Sequence, residues 1–177
     1  MMEYNYFHGA IMIDRDYENS KNFISQKMIE KKYFYFYPNI FSLGEHEHPY
    51  YYENILISFG RTAKYLVDNE EELKDFLKEF EDILCHLDFE TAQIKVEASY
   101  ADFKLFWINK KKLLNNIGSN TETILQYFED NQIRYYETED FYFGFGEINL
   151  FTGYVLEKYN DEKLLSFDRK YPDFVYP

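Results

Sequence analysis

Between residues 73 and 87 the apolar positions recur every three or four residues: Leu73, Phe76, Leu77, Phe80, Ile83, Leu84 and Leu87. On a 3.6-residue helix these seven side chains share one face. Asp68 or Asn69 supplies an N-cap, and Glu71 or Glu72 stands three residues on, where a capping box closes. The opposite face carries Glu71, Asp75, Glu79, Asp82 and His86. Such a helix gains its stability from packing its apolar face rather than from propensity, so it needs a sheet to lie on.

The pattern changes period just beyond it. Ala92, Ile94, Val96, Ala98 and Tyr100 alternate with Gln93, Lys95, Glu97 and Ser99, as in a strand with one wet face. Residues 3–13 read as a strand, 14–19 as a turn leading into a helix, and Phe23, Ile24, Met28 and Ile29 as the apolar side of a short helix. The aromatic run 33–37 reads as a strand stopped by Pro38-Asn39, followed by a loop over 38–53 and a strand over 54–60 through Ile55, Ile57 and Phe59. Ala101-Asp102 reads as a bend or bulge before an aromatic strand at 103–108. Ser119-Asn120-Thr121-Glu122 is a second capping box, opening a helix through Ile124, Leu125 and Phe128. Residues 133–137 and 141–145 form a strand pair, while 147–159 fit either period. Paired strands interrupted by helices predict a single α+β domain over residues 1–177, a mainly antiparallel sheet with helices packed on one face.

Composition narrows the class. At 177 residues the chain is long enough to bury a sizeable core, and 46% apolar with 21% aromatic content excludes a disordered acidic tail. Nineteen tyrosines must each find a partner for a hydroxyl if buried, so many are expected half-buried or at the surface. Cys85 is the sole cysteine, which excludes an internal disulfide; with no signal-like start and no long apolar run, a cytoplasmic protein without membrane association is expected. The formal charge is −13, and residues 68–90 concentrate it, with ten acidic side chains against only Lys74 and Lys78. Folding does not require such a field, which acts on solubility and association. It disfavours direct binding of nucleic acid or anionic lipid and favours a basic protein partner.

The reactive inventory is thin. His46 and His48, flanked by Glu45 and Glu47, are ligand types for a divalent ion, but one segment supplies two imidazoles and no second motif supplies the rest. The expectation is no bound metal and a polar loop, with Tyr50, Tyr51 and Tyr52 beside it as partner contacts. Cys85 and His86 are adjacent on a helix, about 100° apart, so they form no dyad, and an acidic setting keeps the thiol protonated. Gly144-Phe145-Gly146-Glu147 lacks the spacing of a dinucleotide loop and the Lys-Ser/Thr of a phosphate loop, and reads as a turn. Lys110-Lys111-Lys112 reads as a solvated basic turn. No catalytic residue and no cofactor-binding motif is identified.

The acidic face over residues 70–90, the aromatic strands at 33–37 and 103–108, and the empty catalytic inventory together resemble the immunity proteins that bacteria encode beside polymorphic or contact-dependent toxins. That resemblance implies a small acidic α+β domain that binds and blocks a toxin domain, and it transfers no functional residue by motif. The expected partner surface is Glu71, Asp75, Glu79 and Asp82, with Tyr50, Tyr51 and Tyr52 supplying apolar contact. Two alternatives stand beside it: a metal-assisted hydrolase using the His46/His48 loop, and an acidic mimic of nucleic acid.

Overall fold

The structure, a computed structural model, describes residues 5–43, 55–64, 66–67, 69–98, 101–112, 126, 128–129, 135–150 and 155–158. An interior strand of its sheet is β1 (Asn5–Ile13), which pairs antiparallel with β3 (Ile55–Ala63) on one side and β4 (Phe89–Ala98) on the other. From β4 the sheet continues through β5 (Ala101–Asn109) and β7 (Phe141–Ile148) to β6 (Tyr135–Glu137), and beyond β3 lies the two-residue β2 (Phe41–Ser42). A further strand, β8 (Val155–Lys158), pairs with the end of β7. All pairings are antiparallel, and the domain is α+β.

The long amphipathic pattern forms α3 (Glu70–Cys85). Asn69 is its N-cap, with the side chain accepting from the Glu72 N–H at 3.0 Å. Leu73, Phe76, Leu77, Phe80, Ile83, Leu84 and Leu87 are all buried, as their spacing requires. They pack on the sheet face made by Phe7, Ile11 and Ile13 of β1, Ile57 and Phe59 of β3, Ile94 and Val96 of β4, and Leu105 and Trp107 of β5. The first helical stretch joins the same core. It runs as α1 (Tyr17–Asn22), capped by Asp16, then a π-helical turn (Phe23–Lys27) and α2 (Met28–Lys31). Tyr17, Ser20, Phe23, Ile24 and Met28 turn inward, whereas Ile29 is exposed, because it follows Ser25 by four residues onto the outer side.

A smaller cluster covers part of the opposite sheet face: Phe106, Ile108, Tyr142 and Ile148 meet Phe128, which with Gln126 and Glu129 is helical. The cap residues proposed for that helix, 119–122, lie outside the described residues. This cluster explains why β5 is apolar on both faces from Leu105 to Ile108.

Three readings of the sequence need correction, and a fourth, open between two periods, resolves in part. Residues 33–37 are not a strand; they form an irregular strap from the left-handed Lys32 (φ 55°), which ends α2, to the 3₁₀ turn Pro38–Ile40. Ala101 and Asp102 are no bend but the start of β5, since Ala98 pairs with Ala101 and Glu97 with Asp102. Gly144 to Glu147 is no turn either. It lies inside β7, where Gly146 takes φ 138°, a conformation open to glycine, as the strand passes to its pairing with β8. Within the ambiguous 147–159, residues 155–158 are strand.

Candidate functional site

The sequence offers Glu71, Asp75, Glu79 and Asp82 on the outer side of α3 as a partner surface, and the structure divides that face in two. Toward the N-terminus, Glu71 and Asp75 are exposed and Glu72 is half-buried. Toward the C-terminus the strap over residues 33–37 lies against the helix, and the carboxylates there hold it. Glu79 accepts the backbone N–H of Phe34 at 2.7 Å and of Tyr35 at 2.8 Å, one oxygen to each. One turn on, Asp82 accepts the Tyr33 hydroxyl and the Lys31 ammonium, the latter at 3.1 Å. The strap thus runs antiparallel to α3, and Glu79 replaces the strand partner its backbone lacks.

Titration follows these contacts. Burial pushes the Glu79 carboxyl above its usual range, against the pull of the strap N–H groups. Burial raises Asp82 too, but Tyr33 and Lys31 outweigh it and hold that carboxyl low. The Tyr35 phenol is pushed up to about 12, by burial first and then by Glu72, Asp75 and Glu79. The Tyr35 ring contacts Phe34 edge-on at 5.0 Å.

Two rings of the strap point outward. Phe34 is 69% exposed and Tyr37 39%, whereas Tyr35 and Phe36 between them are buried. Arg61 of β3 spans the outward pair, its guanidinium carbon 5.9 Å from the Phe34 ring centre and 5.1 Å from that of Tyr37. Its Nη1 donates to the carbonyls of Phe34 at 2.7 Å and Tyr35 at 3.2 Å. The sequence reading missed this pair. An out-in-in-out order has no period of two, and the five-residue run between a helix end and a proline was its one visible warning.

Other acids of the 68–90 stretch are also engaged. Glu81 is 2% exposed and accepts from Trp107 Nε1 at 2.9 Å inside the core. Its place four residues after Leu77 and three before Leu84 puts it on the apolar arc, a signal legible in the spacing. Asp88 accepts the N–H groups of Arg15 and Asp16 at 3.1 and 2.9 Å and pairs with Lys112 at 2.7 Å, while Lys112 also reaches Asp14 at 2.5 Å. Lys110 bonds Glu137 and the Thr138 carbonyl. The lysine triplet is thus two structural ties plus exposed Lys111, not a solvated basic turn.

Cys85 is exposed, and its thiol is pushed up by partial enclosure and by Asp140, Asp82 and Glu81. His86 stacks on Phe23 at 4.5 Å. His46, His48, Tyr50, Tyr51 and Tyr52 lie outside the described residues. Among the described residues no three His, Cys, Asp or Glu side chains gather as a metal site, and no helix is long and apolar enough to cross a membrane. No family model matches the chain, and neither a curated protein nor a solved structure matches it.

Proposed function

We propose that this chain acts by binding, as an immunity-type inhibitor that covers the active surface of a basic toxin or effector protein in the cytoplasm. The observation that carries the reading is the position of the exposed carboxylates. Glu71 and Asp75 stand on the outer N-terminal half of α3, supported by Glu72, in a molecule of net charge −13. Exposed charge of one sign steers a partner of the other sign into encounter. The internal use of Glu79, Glu81, Asp82 and Asp88 weighs against a nucleic-acid mimic, which needs a long row of carboxylates available to a partner. The hydrolase alternative would draw on His46 and His48.

The protein encoded beside this chain's gene supplies the test. It is expressed in a bacterial host alone and together with this chain. Growth arrest by the neighbour alone, relieved by co-expression through a stoichiometric complex, is the expected result. A neighbour that is harmless, or one whose toxicity this chain leaves unchanged, would overturn the proposal.

A further inference from the structure

Apolar side chains exposed singly are ordinary on protein surfaces. The pair on the strap differs in how firmly it is held. Glu79 fixes the backbone N–H groups of Phe34 and Tyr35, Arg61 fixes their carbonyls, and Asp82 fixes the Tyr33 hydroxyl at the strap's start. Tyr35 and Phe36 anchor the strap in the core, Phe36 against Phe76 at 4.9 Å and Phe80 at 5.2 Å. At the far end Tyr37 precedes Pro38 in an extended conformation, φ −132° and ψ 157°. Two large rings are therefore offered to solvent from a backbone with little freedom left to lose, and binding through a preorganised group incurs less ordering cost.

The surroundings select a partner. Glu79 lies against the Phe34 and Tyr35 backbone at 2.7 and 2.8 Å, Asp75 and Glu72 stand about one and two turns further toward the N-terminus of the same helix, and Arg61 is already engaged with both rings and two carbonyls. A nucleic acid stacking on these rings would bring its phosphates against the carboxylates. A protein surface with an apolar notch ringed by Lys and Arg meets complementary charge instead.

We infer that Phe34 and Tyr37, clamped to α3 by Glu79 and to β3 by Arg61, form the apolar contact of the partner surface and enter a notch ringed by basic residues on a protein. The inference rests on the inhibitor reading and names the contact within it. Phe34 and Tyr37 supply the lifetime of the complex, and Glu71, Glu72 and Asp75 along the same helix supply its charge complementarity.

Hydroxyl-radical footprinting of the full chain, alone and mixed with the neighbour-encoded protein, tests it together with dissociation kinetics. Phe34 and Tyr37 should react in the isolated protein and be protected in the complex. Phe34→Ala should release the partner about thirtyfold faster, the size of a contact hot spot. Its unfolding midpoint should stay near wild type, since the backbone rather than the ring holds the strap. A complex in which both rings stay reactive, or from which Phe34→Ala dissociates at the wild-type rate, overturns the inference and leaves the inhibitor reading standing. Absence of any complex overturns both. Rings unreactive in the isolated monomer would show that this chain covers them itself. Protection that grows with concentration of this chain alone would assign them to a second copy, and protection by a short oligothymidine would assign them to nucleic acid. Each of those three outcomes also overturns the inference.

Discussion

Asp88, just beyond α3, ties together the segment between β1 and α1 and the lysine turn that follows β5. Its side chain takes two backbone N–H groups and the Lys112 ammonium, and its carbonyl accepts the Asp14 N–H. Burial raises the carboxyl, but Lys112 and the Asp16 and Arg15 N–H groups outweigh it and hold it below the ordinary 3.8. A lowered folded value means that stability is present above the ordinary pKa and is lost as pH falls through the folded one. Denaturation of the wild type should therefore become easier as pH drops below 3.8. In Asp88→Asn this part of the acid loss should vanish, at a cost of about 1–3 kcal/mol near neutrality. Glu79 carries the opposite sign: its raised value makes its contribution decline as pH rises past 4.5. Glu79→Gln should flatten that side of the profile instead, and urea midpoints across both ranges separate the two. Gly9 gives a prediction of another kind. A Cβ there would stand 2.3 Å from the Gln93 carbonyl and 2.6 Å from Phe59 Cζ. The Gln93 carbonyl belongs to the neighbouring strand and cannot swing aside, so Gly9→Ala should destabilise by at least about 1–3 kcal/mol, or prevent folding.

At the scale of elements, the molecule depends on how α3 meets the sheet. Phe80 is fully buried among Phe36 at 5.2 Å, Phe59 at 5.5 Å and Trp107 at 4.7 Å, so it links strap, helix, β3 and β5. Phe80→Ala should cost about 3–5 kcal/mol in chemical denaturation. A cost near that of an exposed site would show that Phe80 is not core. This helix was legible because seven apolar residues repeat at helical spacing and Asn69 marks the start. The alternation of Ala92, Ile94 and Val96 was legible for the same reason, since period two fixes which face is buried. Other elements were hidden by interactions that leave no periodic trace. The strap resembles a strand in composition, yet its backbone is satisfied by Glu79, a residue 44 or 45 positions away. Gly146 looked like a turn because glycine marks both turns and strand irregularities. The outward face of α3 was legible as acidic but not as divided, because the strap that covers half of it comes from elsewhere in the chain.

For the whole molecule, net charge is a poor guide until the internally engaged groups are set aside. Of the ten acids in residues 68–90, Glu79, Glu81, Asp82 and Asp88 each hold other parts of the chain, and only groups facing solvent contribute fully to a long-range field. Reversing Glu71, Asp75, Glu79 and Asp82 together would thus mix two effects, loss of steering and release of the strap. Glu71→Lys with Asp75→Lys isolates the first, because both side chains are exposed and neither holds the strap. With the neighbour-encoded protein as probe, this double variant should associate more slowly at low salt, with a shallower dependence on salt. Exposed charges act over a screening length of about 8 Å at physiological ionic strength, so the difference should shrink as salt rises. The dissociation rate should change little, because rim charges govern encounter and desolvated contacts govern lifetime. Stopped-flow association across a salt series decides the matter. Wild-type association at low salt by a normally folded double variant would remove this half of α3 as the steering surface. Its carboxylates would then serve solubility, and the partner's approach would have to be sought on another face.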